Sequence, residues 1–184
     1  RKMEINMKIL KPDLILENVF AIDLRALRAR NISGLLLDID NTLVRWKQPR
    51  MEKEFIRWIK LIQENDFKLC LVSNAMEKRV SYFAELLDIP AVGQAWKPFN
   101  SAFLRGLDLL HLEAAQAAVV GDQLFTDIFG GNRLGLYTIL INPLSEREFF
   151  GTKIMRKLER FVLAKMVKKG RISPEFLRIR QRRR

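Results

Sequence analysis

Gly34-Leu35-Leu36-Leu37-Asp38-Ile39-Asp40-Asn41-Thr42 is the stretch that decides the fold. The apolar run, entered through Ser33-Gly34, has the pattern of a strand buried on both faces. Such a strand is covered by helices on both sides, and the sequence downstream supplies them. Residues from about Glu52 to Asn65 place Phe55, Ile59 and Ile62 at helical spacing. Phe67 to Val72 is a second buried strand. A helix follows over Glu77–Leu87, with Val80, Phe83, Ala84 and Leu87 on one face. Ile89–Val92 is a short strand and Phe99–Leu110 a helix. Ala117–Val120, Leu124–Leu134 and Leu136–Ile141 then read as strand, helix and strand. Strands alternating with helices of this length predict right-handed βαβ crossovers. The expected fold is α/β and Rossmann-like, a parallel sheet with helices on both faces.

The flanks differ from this body. Residues 1–33 read as partly helical, with Ile22, Leu24 and Leu27 in a basic setting, and are expected to pack on a core spanning 34–142. Residues 143–184 open on Pro143 and predict a helix from about Lys153 to Lys169, with Thr152 as N-cap. The arginine-rich end, Arg178 to Arg184, is expected to be mobile.

Length and charge set further bounds. The chain has 184 residues, enough for one domain with an appendage. Its net charge of +12 is uneven, because residues 143–184 hold 14 Lys/Arg against 4 Asp/Glu. A basic end of this kind points to phosphates, nucleic acid or an anionic membrane surface. A single cysteine, Cys70, excludes an intramolecular disulfide framework and reads as strand packing. No apolar run approaches the roughly 20 residues of a membrane span, and no leader pattern opens the chain. The expected location is the cytoplasm, with peripheral contact at a membrane surface. His111, the single histidine, reads as a cation at a helix C-terminus.

Polar groups gather just after the apolar strands. The first strand runs into Asp38-Ile39-Asp40-Asn41-Thr42 and the second into Ser73-Asn74. Lys97 follows the short third strand, and Gly121-Asp122 ends the fourth, with Asp127 five residues on. In a parallel sheet the C-terminal strand ends open on one edge, where ligand sites form. Residues spread from 38 to 127 are therefore expected to converge. Carboxylates without histidine or cysteine ligands suit a hard cation, with Mg²⁺ the default. A lysine, a hydroxyl and an amide suit phosphate oxygens. A carboxylate can attack phosphorus, and a second one two residues on can protonate the leaving oxygen.

Together, Asp38-x-Asp40-x-Thr42, Ser73, Lys97 and Gly121-Asp122-x-x-x-x-Asp127 resemble the haloacid dehalogenase (HAD) superfamily of phosphatases. The resemblance narrows through Asn41-Thr42-Leu43-Val44, Lys97-Pro98, Gln123-Leu124-Phe125-Thr126 and Gly131-Asn132-Arg133 to the YqeG family. That family is similar to mitochondrial and plastid phosphatidylglycerophosphate phosphatases. The resemblance implies Asp38 as nucleophile and Asp40 as general acid and base. It implies Thr42, Ser73, Asn74 and Lys97 at the phosphoryl group. For Mg²⁺ it implies Asp38, the backbone carbonyl of Asp40, Asp122 and Asp127. Trp96 departs from the pattern, which expects a small residue before the lysine. The 33 residues from Asp40 to Ser73 and the 24 from Ser73 to Lys97 leave no room for an inserted cap domain.

The implied activity is Mg²⁺-dependent hydrolysis of a phosphomonoester through an aspartyl-phosphate, with phosphatidylglycerophosphate the implied substrate. Three rival readings stay open: a phosphatase of a soluble ester, a binding module that engages RNA or a protein through its basic end, and a receiver domain. The last fits least, because its acceptor follows a middle strand. The 153–169 helix also has two readings. Its apolar residues Ile154, Met155, Leu158, Phe161, Val162 and Met166 either pack on the sheet or lie in an anionic membrane interface, opposite Lys153, Arg156, Lys157, Arg160 and Lys168. Nucleic acid ranks below lipid, since no stacking aromatics stand among the arginines.

Overall fold

The computed structural model describes residues 8–145 and 150–175, the last group without the side chains of 150–154. Six strands form one sheet in which every pair is parallel: β1 (Leu14–Leu16), β2 (Gly34–Leu37), β3 (Lys68–Val72), β4 (Ala91–Val92), β5 (Ala117–Gly121) and β6 (Tyr137–Ile141). Their order is β1-β6-β5-β2-β3-β4. The helices are α1 (Leu24–Arg28), α2 (Lys53–Glu64), α3 (Glu77–Leu87), α4 (Asn100–Leu110), α5 (Phe129–Leu134) and α6 (Phe150–Lys168).

Alternation along β2 explains the layers. Leu35 and Leu37 point into a core shared with α2 and α3, where Phe55, Trp58, Ile59, Ile62, Val80 and Phe83 are buried. Leu36 points the other way, into a core with Phe103 and Leu107 of α4. Cys70 lies there too, and burial pushes its thiol up to about 12, as expected of a packing residue. Gly106 lets α4 lie close: a Cβ there would stand 3.0 Å from Leu36 and 3.1 Å from Val72. Both faces of β2 are thus sealed, which is why its sequence is a continuous apolar run.

The structure adds one strand to the sequence reading. β1 lies within the N-terminal segment expected to be partly helical, and α1 is the helical part. The segment is stapled to β6, where Asp13 accepts from the Thr138 backbone N–H (2.8 Å) and hydroxyl (3.0 Å). Three edge residues beside Pro12 give almost no periodic signal, so tertiary pairing decides them. One predicted cap is also displaced. α6 begins at Phe150, so Thr152 lies inside it. α3 begins at Glu77 after an N-cap at Met76, so Ser73-Asn74 belongs to the loop before the helix. His111 caps α4 in a left-handed conformation. Arg178 to Arg184 lies outside the described residues.

Registers align the ends of the central strands. Leu37 pairs with Leu71 of β3 and with Val120 of β5. Asp38, Ser73 and Asp122 therefore leave the sheet side by side. The loops between β2 and β4 hold only α2 and α3 as helices, so no cap domain covers this edge among the described residues.

Candidate active site

Past β2 the backbone N–H of Asp38 still donates to Val120 (3.0 Å), which fixes the residue against β5. Its carboxylate is 7% exposed and has two partners. Oδ1 accepts from Lys97 Nζ at 2.7 Å, and Oδ2 faces the hydroxyl of buried Thr42 at 3.4 Å. Asn41 takes a left-handed backbone (φ +64°), a conformation asparagine tolerates. Its Oδ1 accepts from the Ser145 hydroxyl (2.8 Å) and the Trp46 N–H (3.3 Å), tying this loop to the one after β6. The turn sends Asp40 outward, where Arg79 of α3 donates to its Oδ1 through Nε (3.2 Å) and Nη2 (2.8 Å).

The second and third loops hold each other. Asn74 Oδ1 accepts from the Lys97 backbone N–H (2.7 Å), and its Nδ2 donates to the Lys97 carbonyl (3.3 Å). This two-point clamp aims the Lys97 side chain back into the sheet edge. Ser73 Oγ accepts from Ala75 N–H at 3.3 Å.

After β5, Gly121 makes the site feasible. A Cβ there would fall 2.2 Å from the Asp127 carboxylate, so only glycine leaves room for it. The chain then forms a single wide π turn, Leu124–Ile128, where a regular helix is predicted. The turn lets Asp127 point inward, and its Oδ2 accepts from Gln123 N–H at 3.1 Å. Asp127 Oδ1 accepts from Lys97 Nζ at 2.7 Å, so one ammonium joins Asp38 to Asp127. Asp122 is fully buried, and Arg156 of α6 donates to its carboxylate and its carbonyl. Arg156 also reaches Glu159 (3.1 Å), whose other oxygen accepts from Leu124 N–H (2.6 Å).

The electrostatics follow from burial. It pushes the Asp122 carboxyl up to about 7 against the pull of Arg156, and the Asp127 carboxyl up to about 6 against the pull of Lys97. Burial also raises Asp40, with Arg79 opposing. It works against the Lys97 charge, but Asp127 and Asp38 outweigh it and hold the ammonium above the usual lysine range. Asp38, Asp122 and Asp127 offer oxygens within 4.8 Å of one another, all buried. Three converging buried carboxylates, two of which burial pushes toward their neutral form, fit a hard divalent cation. A cavity of about 240 Å³ opens above them, lined by Asp38, Asp40, Ser73, Lys97, Gln123 and Thr126 among others. That suits a phosphoryl group and not a whole drug-sized ligand.

The HAD-hydrolase-like family model matches residues 95–143. The probable phosphatase YqeG of Bacillus subtilis is 39% identical over 168 residues, covering 91% of this chain and 98% of that protein. The chain belongs to the YqeG family of HAD-like phosphatases. A chloroplastic phosphatidylglycerophosphate phosphatase 1 of Chlamydomonas reinhardtii is 28% identical over 178 residues; the match spans 90% of this chain and 65% of that longer protein. Among solved structures, a cobalt-bound deoxy-D-mannose-octulosonate 8-phosphate phosphatase of Haemophilus influenzae shares the fold (TM-score 0.50, 12% identity, 74% of this chain and 90% of that one).

The candidate site residues Asp38, Asp40, Thr42, Ser73, Asn74, Lys97, Asp122 and Asp127 lie at this one edge, whereas Gly131-Asn132-Arg133 lies away from it on α5, where Asn132 donates to the Ile9 and Lys11 carbonyls. Asp38, Asp40, Ser73, Asn74 and Lys97 line the cavity, and Thr42, Asp122 and Asp127 stand behind it. Asn74 differs in the use of its amide, which holds the Lys97 backbone at both ends. Arg79, Arg156 and Glu159 had no signal in the sequence. Arg79 reads as one of several cations on a helix surface. Arg156 falls on the basic side of α6, the side read as solvated or facing lipid.

Proposed function

We propose that the chain is a Mg²⁺-dependent phosphomonoesterase that works through an aspartyl-phosphate on Asp38. The observation that carries this reading is the pairing of two carboxylates in opposite settings. Asp38 is paired with the Lys97 ammonium at 2.7 Å on the cavity floor, whereas Asp40 sits at the mouth with its carboxyl raised by burial. The first is suited to attack and the second to carry a proton. An oxygen of Asp38 attacks phosphorus as the ester P–O bond breaks, and Asp40 gives its proton to the departing alkoxide. Asp40 then takes a proton from water, whose oxygen attacks the phosphoryl group; the bond to Asp38 breaks and inorganic phosphate leaves.

Lys97 neutralises the carboxylate that the phosphate must approach and can shift its donors to phosphoryl oxygens. Ser73 offers a hydroxyl at the same wall. Mg²⁺, held by Asp38, the Asp40 carbonyl, Asp122 and Asp127, would supply the remaining positive charge for anion–anion approach.

Phosphatidylglycerophosphate is the proposed substrate, supported by similarity to the algal enzyme and by the open, uncapped edge. Residues 153–184 are proposed to meet an anionic membrane. Met155, Leu158 and Phe161 of α6 are exposed beside Lys157, Arg160, Lys165 and Lys168, while Leu163 and Met166 pack inward. No helix among the described residues is long and apolar enough to cross a membrane. Phosphate release from phosphatidylglycerophosphate and from a small soluble ester, each with Mg²⁺ or chelator, tests the reading. Metal-dependent release from both is expected; release from neither contradicts it.

A further inference from the structure

Apart from Met155, Leu158 and Phe161 of α6, most exposed apolar side chains among the described residues are scattered singly over helices. Three more are not. Met76, Trp96 and Phe99 are 74%, 73% and 63% exposed, and all three stand on the two loops that close one side of the cavity. Those loops are bonded to each other at three points: Gln94 N–H to Ala75 O (3.0 Å), Ala95 N–H to Ser73 O (3.0 Å), and Lys97 N–H to Asn74 Oδ1 (2.7 Å). Phe99 N–H also donates to the Trp96 carbonyl at 3.0 Å. The three residues therefore stand on loops that are fixed to each other and to Lys97.

Trp96 is the most telling. Its φ of +53° is a region that a bulky residue rarely adopts and that usually costs about 1–3 kcal/mol. The strain holds a large apolar ring in solvent, where folding gains nothing from it. A feature that is costly in the free molecule points to an occupant. Charge identifies which one. Segments 41–51, 73–76 and 93–99, which frame the cavity, contain no acidic residue, although Asp40 lines the cavity and the Glu77 carboxylate lies against Gly93. Arg45, Lys47 and Arg50 are exposed on the first of them, although Arg45 is engaged by Glu52 at 3.2 Å. Tryptophan and phenylalanine on a loop that shares its cavity with the loop of Lys47 and Arg50 match the interfacial layer of an anionic bilayer.

We propose that Met76, Trp96 and Phe99 form a docking surface for an anionic lipid bilayer, bringing the cavity mouth to headgroup level. The inference rests on the reading of the cavity as a phosphomonoester site and says which surface would bring that site to a phosphate carried on a membrane lipid. Side chains set roughly 5–10 Å into the interface would present the cavity to headgroup phosphates with no cap in the way. It also accounts for the departure at position 96, because the ring stands outside the cavity and leaves it open.

The test compares the full chain with the triple variant Met76→Ala/Trp96→Asn/Phe99→Ala. Asparagine is chosen because it accepts the left-handed backbone and so keeps the Lys97 loop in place. Binding is read by sedimentation with vesicles of phosphatidylcholine, with and without phosphatidylglycerol. The parent is expected to bind the anionic vesicles, and the variant to bind them at least about tenfold more weakly, the effect of losing one buried ring or more. Hydrolysis of p-nitrophenyl phosphate in solution should be equal in the two, which also reports an intact fold. As a second reading, Trp46→Phe leaves Trp96 and the buried Trp58, and brominated lipid should quench its fluorescence.

Equal vesicle binding by parent and variant overturns the proposal, as does a parent that ignores anionic vesicles or a Trp96 that brominated lipid leaves unquenched. Vesicle binding needs no turnover, so the two readings separate. A parent inert toward every phosphomonoester, with binding still lost in the variant, removes the phosphatase and leaves the docking surface.

Discussion

At the floor of the cavity Asp38, Lys97, Asp122 and Asp127 stand at strand ends or one turn beyond, each less than a tenth exposed. At its mouth Asp40, Arg79, Trp46 and Trp96 stand on loops and a helix and meet solvent. The difference lies in what each group costs to change. A floor charge has no water to fall back on, so every one is matched by another and residue type is tightly dictated. A mouth pair gains little from its contact and is selected by what comes to the site.

That contrast orders the expected effects. Asp38→Asn should lower kcat on the order of 10⁴-fold or more, because it removes the proposed nucleophile; a loss below tenfold in steady-state assays would break the assignment. Asp40→Asn should cost about 10²–10⁴-fold and remove the pH limb that its raised carboxyl supplies. Unchanged pH dependence would assign the proton to another group.

Arg156 joins the two regions, since it reaches the floor from α6. Arg156→Ala leaves the buried Asp122 and Glu159 facing each other without their shared cation. The metal-free protein should lose about 3 kcal/mol in urea unfolding. Added Mg²⁺ should restore more stability to this variant than to the parent. A loss under about 0.5 kcal/mol would mean that α6 is not seated at the site.

The floor carboxyls also set a pH dependence. Unfolded, Asp122 and Asp127 ionise near 3.8; folded, they hold protons up to about 7 and about 6. Between those limits the folded chain binds more protons, so the pair favours folding below pH 4 and its contribution fades as the pH rises to 7. A cation takes the place of those protons. The rise in Tm on adding Mg²⁺ should therefore be larger at pH 7.5 than at pH 5, and an equal rise at both would contradict the cluster as the cation's seat. The smallest effect belongs to the mouth. The Arg79–Asp40 pair is about a quarter exposed, so Arg79→Ala should cost under about 1 kcal/mol of stability. It should still move the Asp40 limb of the activity profile upward, because the guanidinium holds that carboxyl down.

The same contrast explains what the sequence could reveal. β2, β3 and β5 are short apolar runs because both their faces are covered, and their ends announce the floor through carboxylates and a lysine at strand termini. β1 escaped because three edge residues carry no period. The π turn escaped because its shape answers to Asp127, which a helical pattern conceals. Arg79 and Arg156 escaped for a common reason. A cation on a helix surface looks the same whether it faces water or a carboxylate 39 or 34 residues away in the chain. On α6 the periodicity located the helix but set Arg156 on the outer basic face, whereas Arg156 and Glu159 pack inward with Leu163 and Met166, and Met155, Leu158 and Phe161 of the apolar set stay exposed.

The most direct test of the central claim is phosphate release from phosphatidylglycerophosphate in mixed micelles, with Mg²⁺ or EDTA, for the parent chain beside Asp38→Asn. Release that requires Mg²⁺ and disappears in Asp38→Asn is the predicted result. Release that survives the loss of the Asp38 carboxylate would contradict the account, whatever the substrate.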